Sequence, residues 1–174
     1  MHGICALCQD ETNLKESHLI PKFVGKWLKR TSATGYLRDI DNINKRQQDI
    51  PKEYLLCHNC EILFSGWEKL FAEQIFLPSL DKELYISSYN EWLSKFCASL
   101  SWRTLISIKR QNNGFNDESD YFLKQTNQAE THLRDFLLGN TSNLDQYEQH
   151  IFPLTEIEKP HESLNFPPNI NRYF

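Results

Sequence analysis

The sequence predicts an α+β fold that is mostly helical, and three observations lead to this prediction. Apolar residues recur at helical spacing over several long segments, short β-type segments occur only in the N-terminal half, and two Cys-x2-Cys pairs flank those segments. The length of 174 residues suits one ordinary domain or one domain with a small appended module. We therefore expect an N-terminal module over residues 1–78, a helical region over 79–150 packed with it, and an extended tail over 151–174.

Composition excludes several classes of protein. With 40 % apolar and 13 % aromatic residues the chain can build a core, which argues against disorder and against a fibrous repeat. Six glycines are too few for a glycine-rich phosphate-binding architecture. No apolar run reaches the length of a membrane span, and residues 1–10 lack the layout of a signal peptide. We expect a cytoplasmic protein that does not enter a membrane.

Charge is distributed unevenly along the chain. Residues 1–60 carry a net charge of +2 and residues 61–174 a net charge of −6, within a total of −4. The segment 22–46 is the most basic, with seven Lys and Arg against Asp39 and Asp41. Such a segment favours a polyanionic partner, and the alternative is an ordinary solvated helix face.

Cysteine spacing gives the strongest functional signal. Four of the five cysteines form two Cys-x2-Cys pairs, Cys5 with Cys8 and Cys57 with Cys60. Two residues between thiolates let one tight turn present both sulfurs to one ion, so the pairs predict a tetrahedral Zn²⁺ site. Four thiolates close the coordination shell, which makes this zinc structural. Disulfides and a redox Cys-x-x-C are the weaker alternatives in a reducing compartment, and Cys97 is expected to be a small core residue.

The N-terminal elements follow from local signals. A zinc-binding turn and a short strand are expected over 5–14, then an extended or turning segment over 17–21. Pro21 starts a short basic helix that runs to about Arg30, with Phe23, Trp27 and Leu28 facing inward. Residues 31–51 are polar and are expected to be irregular, with a possible strand at 36–38. Another strand is expected at 54–56.

The later elements are predominantly helical. A helix is expected over 61–76 and is ended by Pro78; its apolar side comprises Leu63, Phe64, Trp67, Leu70, Phe71 and Ile75. Ser88 and Glu91 form a candidate capping box ahead of apolar positions 89, 92, 93, 96, 97 and 100. A polar linker follows at 111–119, and a last helix ends near Gly139. We expect a two-stranded ribbon at the zinc site and about four or five helices over it.

Three motifs in this order resemble those of a known family. They are Cys5-x2-Cys8, Ser17-His18-Leu19-Ile20-Pro21, and Leu55-Leu56-Cys57-x2-Cys60-Glu61. Over roughly residues 3–76 the chain resembles the treble-clef, or ββα-metal, module of HNH endonucleases, and in particular a small bacterial variety with four zinc-binding cysteines. The resemblance implies DNA phosphodiester hydrolysis with catalytic Mg²⁺ or Mn²⁺. Some small bacterial proteins of this kind are linked to defence against phage.

Site residues can be carried over from the matching positions. The resemblance makes His18 the general base, because an imidazole can exchange protons near neutral pH. Glu61 stands where the family places Asn or His, and a carboxylate there could bind the catalytic divalent ion. Phosphate contacts are expected from the basic segment, with Arg46 also at the catalytic site because its guanidinium fork matches a phosphate. The expected nucleic-acid-binding residues are Lys22, Arg38, Lys45 and Arg46.

Two departures keep other functions open. Ser17 replaces the acidic residue or His that precedes the base in the family, and Lys52 replaces an Asn. Other carboxylates near the inferred site are Asp49, Glu53 and Glu68. The alternatives are a catalytically degenerate module that binds nucleic acid or a partner protein, and a purely structural zinc domain of a larger assembly. The C-terminal helices are expected to dock a protein partner or a second copy of the chain.

Overall fold

The computed structural model describes residues 1–32, 34–39, 42, 44–80, 89–111 and 120–151. Within these residues the fold is α+β and mostly helical, as expected. The strands are β1 (His2–Ile4), β2 (Glu11–His18), β3 (Leu37–Arg38), β4 (Arg46–Gln47) and β5 (Lys52–Cys57). The helices are α1 (Lys22–Thr31), α2 (His58–Phe71), α3 (Leu77–Leu80), α4 (Glu91–Gln111) and α5 (Asp120–Leu138), with a π-helical turn at Ala72–Phe76 between α2 and α3.

The sheet at the cysteines has three antiparallel strands in the order β1-β2-β5, where two were expected. The additional strand β1 is three residues long and pairs with Glu11–Asn13 at the start of β2. Between β2 and β5 the register shifts at Lys15 and Glu16, which marks a bulge. Strands β3 and β4 form a separate two-stranded ribbon.

Helix α1 begins directly after Pro21, as predicted from the preference of proline for helix starts. Its glycine, Gly25, is buried because α1 lies close to Ile50, and a Cβ on Gly25 would be 2.9 Å from Ile50 Cγ2. Phe23 packs against Phe76 with ring centroids 4.9 Å apart. The basic helix is thereby fixed against the π-helical turn.

Helix α2 differs from the predicted helix at both ends. It begins at His58 rather than Glu61, because the Cys57 sulfur accepts a hydrogen bond from the Cys60 N–H and caps the first turn. Pro78 does not end the helical segment, which continues as α3 to Leu80. Pro78 is the second residue of α3 and directly follows the π-helical turn, where the α-helical hydrogen-bond pattern is already interrupted.

Within the predicted apolar side of the 61–76 helix, one residue was misassigned. Leu63 is 37 % exposed although it was expected on the apolar side. The side of α2 that packs inward carries Cys60 and Phe64, and Phe64 meets Trp102 of α4 edge to face at 6.0 Å. The position of α4 therefore decides which residues of α2 are buried.

One core joins the sheet to the C-terminal helices. It consists of Cys5, Leu7, Leu14, Leu55, Leu56, Cys57, Cys60, Phe64, Ala98, Trp102, Leu133, Phe136 and Leu137.

Asn90 caps α4 by accepting the Trp92 N–H at 3.1 Å, whereas Ser88, the predicted capping residue, lies outside the described residues. Tyr89, expected on the apolar face, is exposed. Gly139 ends α5 with a left-handed φ of 81°, as predicted.

Two further expectations fall mainly outside the described residues. They concern the polar linker, of which 112–119 are not described, and the extended tail, of which only Ile151 is described.

The half-buried Cys97 lies on α4, where burial raises the pKa of its thiol to about 11. No helix among the described residues combines the length and the apolar character needed to cross a lipid bilayer.

Candidate functional site

The first cysteine pair lies in a tight turn between β1 and β2. The Gln9 N–H donates to the Cys5 carbonyl and the Cys5 N–H to the Asp10 carbonyl, both at 2.9 Å. Gln9 has a positive φ of 65°, which reverses the chain after Cys8. The second pair is formed by the last residue of β5, Cys57, and by Cys60 in the first turn of α2. A strand end and a helix start thus supply the second pair of sulfurs.

The four sulfurs form one compact cluster. Their Sγ atoms all lie within 4.8 Å of one another, and Cys8 Sγ is 3.8 Å from Cys57 Sγ. Tetrahedral Zn²⁺ with Zn–S bonds of about 2.3 Å separates its sulfur ligands by roughly 3.8 Å. The Cys57 N–H also points at Cys5 Sγ, at 3.3 Å, as expected for a sulfur that carries negative charge. The cluster can therefore hold a metal ion such as zinc.

The electrostatics of the cluster favour a bound cation. A hydrogen bond from Cys60 lowers the pKa of the Cys5 thiol to about 4, and the same bond raises the pKa of Cys60. Burial raises the pKa of Cys8 to about 12. In the absence of a metal, Cys5 therefore ionises most readily, whereas Cys8 and Cys60 keep their protons. Four thiolates need a positive ion between them.

His18 lies at the far end of β2 from the first cysteine pair. Its Nε2 is 3.4 Å from Oδ2 of Asp49, and Lys52 Nζ is 2.7 Å from the same oxygen. The Lys52 ammonium, helped by His18, holds the pKa of Asp49 well below its usual range. An ionised carboxylate can only accept, so Nε2 of His18 carries the proton of this hydrogen bond. The lone pair of a neutral His18 is then on Nδ1, for which the described residues provide no partner.

Glu68 interacts electrostatically with both Glu61 and His18. Glu61 is half-buried in the first turn of α2, directly after Cys60, and Glu68 lies two turns further on. Burial raises the pKa of Glu68 and the Arg103 guanidinium opposes this rise. The charge of Glu61 raises the pKa of Glu68 further, whereas the charge of His18 lowers it. Glu68 therefore lies within electrostatic range of both Glu61 and His18.

Arg103 of α4 is a site residue that sequence reasoning missed. Its side chain is 3 % exposed and its Nη2 is 2.8 Å from Glu68 Oε1. Its Nη1 donates to the carbonyl oxygen of His18 at 2.8 Å. The available signal was its position, because Arg103 follows Phe96 by seven residues and so lies on the inward face of the helix. An arginine at a core-facing helical position requires buried partners.

The predicted phosphate-binding residues lie on α1 and on the β3–β4 ribbon. Lys22 is exposed at the start of α1, and Arg38 is directly opposite Arg46 in the ribbon. Arg46 stacks over the Tyr36 ring at 4.7 Å, and Lys45 pairs with an Asp39 oxygen at 3.3 Å. Among the described residues, no hydrogen bond or ion pair connects Arg46 to His18. A catalytic part for Arg46 therefore stays a prediction.

The two departures from the family pattern have structural consequences. Ser17 is fully buried, and its hydroxyl has no hydrogen-bond partner, so this position is not exposed to a metal ion in solvent. Lys52 is bound to Asp49. Glu53 is held by Ser107 and by Arg110, the latter at 3.8 Å. Among the described residues, the four cysteines form the only cluster of three or more Cys, His, Asp or Glu side chains whose ligand atoms lie close enough to share a metal ion.

Comparisons with known proteins identify no family and no similar protein. No protein-family model matches the chain, no curated protein matches it, and no solved structure matches it. The function therefore has to be argued from the geometry of the cysteine cluster and of the residues around His18.

Proposed function

We propose that this chain is a metal-dependent HNH-like endonuclease that hydrolyses DNA phosphodiester bonds with His18 as the general base. The observation that carries the proposal is the hydrogen bond between His18 Nε2 and Asp49 at 3.4 Å. A carboxylate on one imidazole nitrogen fixes the tautomer and leaves the other nitrogen as a proton acceptor. His18 is 17 % exposed at its side chain, so water can reach it.

In the proposed reaction, His18 takes a proton from the attacking water molecule. Nδ1 of His18 accepts a proton from a water molecule whose oxygen attacks the phosphorus, the P–O bond to the leaving oxygen breaks, and the leaving oxygen takes up a proton from solvent. The imidazolium that forms is stabilised by the ionised Asp49. Glu61, at the start of α2, would hold the Mg²⁺ or Mn²⁺ ion, which supplies charge neutralisation at the phosphate. Glu61 lies on the same helix as Glu68, and Arg103 joins Glu68 to the carbonyl oxygen of His18.

The zinc cluster has a structural part in this proposal. Leu14 of β2 pairs with Cys57 of β5, and His18 pairs with Lys52 at the other end of the same two strands. A Cys₄ zinc site would clamp one end of this pair of strands and so support the position of His18 at the other end. DNA would be held by the exposed cations of α1 and of the β3–β4 ribbon, Lys22 and Arg46 among them.

A catalytically degenerate module that binds nucleic acid or a protein partner is the second candidate. Ser17 favours it, because its fully buried side chain cannot replace the metal-binding residue that HNH enzymes place before the base. Lys52 favours it too, since its ammonium lies next to the carboxylate that would orient the base. Docking of a partner or of a second copy on α4 and α5 stays a prediction.

The deciding experiment is a cleavage assay on supercoiled plasmid and on single-stranded DNA with Mg²⁺, Mn²⁺ or EDTA. Wild type is compared with His18→Ala and Glu61→Ala at equal zinc content. His132→Ala is the matched control, because His132 also faces an aspartate, Asp145, at 3.6 Å but on α5. Metal-dependent cleavage that is lost in His18→Ala and kept in His132→Ala supports the nuclease. DNA binding without cleavage by zinc-loaded wild type would select the degenerate module.

A further inference from the structure

We propose that Arg103 is a positioning residue, through which helix α4 sets the orientation of His18 relative to helix α2. The role in catalysis rests on the proposed nuclease function, whereas the role in orientation does not. Arg103 lies on α4, beyond the three motifs that resemble the nuclease family, and is 85 residues from His18 in the sequence.

The hydrogen-bond pattern of the sheet leaves the His18 carbonyl without a strand partner. The Leu19 N–H donates to the Pro51 carbonyl at 3.2 Å, which makes His18 and Lys52 a non-hydrogen-bonded pair. In such a pair the carbonyl of His18 points away from β5, toward the opposite edge of β2. Strand β1 does not cover that edge at His18, because it pairs only with Glu11–Asn13. Arg103 supplies the missing donor there.

The guanidinium itself is fixed by four contacts besides its bond to His18. Nη2 binds Glu68 at 2.8 Å, Nε donates to the Ser99 carbonyl at 3.3 Å, and Nη2 donates to the Ser99 hydroxyl at 3.5 Å. The group also lies over the Phe64 ring, 5.3 Å from its centre. With these partners the planar guanidinium has little freedom to rotate, so it fixes the direction in which Nη1 points.

The contacts of Arg103 link the two candidate catalytic residues, His18 and Glu61. Glu68 and Glu61 belong to the same helix, α2, and Arg103 connects that helix to the backbone of His18. A change at Arg103 therefore alters the position of His18 relative to Glu61 without touching either side chain. Lysine cannot reproduce this, because one ammonium lacks the planar fork that reaches a carboxylate and a carbonyl in fixed directions.

The test has to separate positioning from stability, because removing one partner of a buried ion pair leaves the other charge uncompensated. The main variant therefore replaces both partners with apolar residues, Glu68→Leu together with Arg103→Met. Replacing a buried ion pair in this way is often tolerated, so we expect the double variant to bind one zinc ion and to melt within about 5 °C of wild type. Arg110→Met is the matched control, since Arg110 lies on the same helix and donates to a strand carbonyl, that of Tyr54, at 3.2 Å.

The primary readout is the His18 signal in long-range ¹H–¹⁵N spectra, which report the tautomer of each imidazole without any need for activity. We expect the double variant to lose the predominant Nε2–H form of His18 and Arg110→Met to keep it. Cleavage by the double variant should fall by roughly tenfold or more in kcat, with a smaller change in KM, because the base is misaligned rather than removed. A folded double variant with the wild-type His18 signal would overturn the proposal.

Other outcomes are also decisive. If the double variant does not fold, Arg103→Lys provides the same spectroscopic test, with loss of the Nε2–H form expected and an unchanged His18 signal counting against positioning. If wild type cleaves no DNA, the proposed nuclease function fails, and the spectra still decide whether Arg103 orients His18.

Discussion

Lys52 Nζ and Asp49 Oδ2 lie 2.7 Å apart, and that oxygen is the one that faces His18. The ammonium and the imidazole therefore share a single carboxylate oxygen. Asp49 is ionised at neutral pH, Lys52 lowers its pKa further, and the ionised carboxylate accepts the Nε2–H of His18. A lysine at this position thus influences the base through a neighbouring carboxylate.

The first prediction concerns Asp49→Asn and acid stability. The pKa of Asp49 is lower in the folded chain than the unfolded value of about 3.9. Its ionised form therefore adds stability that is present above about pH 4 and is lost as the pH falls further. We expect the gap in urea midpoint between wild type and Asp49→Asn to be largest near neutral pH and to shrink below about pH 4.

Salt provides a check on this interpretation. The Asp49 side chain is 39 % exposed, so the gap should be small and should decrease further in high salt. A gap that grows as the pH falls would contradict the assignment of Asp49 as the group that loses its charge.

The second prediction concerns metal removal. We expect one zinc ion per chain, and a strong chelator should lower the melting temperature by well over 5 °C, because structural zinc sites contribute directly to folding. Cys57→Ser should lose zinc, since Cys57 belongs to the cluster and also caps α2. Cys97→Ser, outside the cluster, should keep it. Retention of one zinc ion by Cys57→Ser would show that the ion binds elsewhere.

A third prediction compares two helical glycines. Gly25→Ala should destabilise the chain by about 1–3 kcal/mol, because its Cβ would meet Ile50 at 2.9 Å. Gly66→Ala should stabilise it by about 0.5–1 kcal/mol, because nothing lies within 4 Å of a Cβ there and alanine favours a helix. Urea unfolding of the two variants measures both effects. Equal effects would indicate that α1 does not pack on Ile50 in this way.

Ser17 gives a fourth prediction. Its hydroxyl is buried without a partner, so Ser17→Ala should be neutral or stabilise the chain by up to about 1 kcal/mol. Ser99→Ala is the matched control and should destabilise by about 1 kcal/mol, because Ser99 Oγ donates to the Phe96 carbonyl at 2.7 Å. Both values come from thermal or urea unfolding.

The same position tests the departure from the HNH pattern. Ser17→Asp introduces the acidic residue that HNH enzymes place before the base, but the fully buried site would have to accept a charge. We expect this variant to be strongly destabilised and to cleave DNA no better than wild type. Improved cleavage by a stable Ser17→Asp protein would contradict the observed burial.

Sequence patterns predicted the elements that depend on local chemistry. Proximity of the two cysteine pairs, the start of α1 after Pro21 and the end of α5 at Gly139 agree with the structure. These features follow from ligand spacing and from the backbone preferences of proline and glycine. Proline and glycine act locally, and the two cysteine pairs, although 49 residues apart, are recognised by the spacing within each pair.

The features that sequence reasoning missed depend on distant partners. Strand β1 is too short to show alternation, and it exists because β2 offers an edge to pair with. Leu63 was misassigned because the position of α4 decides which side of α2 is buried. The contact of Arg103 with His18 was missed for a similar reason, since only the tertiary fold brings the two residues together.

The 85 residues between His18 and Arg103 also affect the time at which the site can form. Closing so long a segment costs chain entropy, and contacts of this kind generally form late in folding. During synthesis, both cysteine pairs leave the ribosome before α4 does, and until α4 has emerged the His18 carbonyl lacks its donor. The cysteines also share one core with α4 and α5, so His18 can be aligned only after these helices have packed against the sheet.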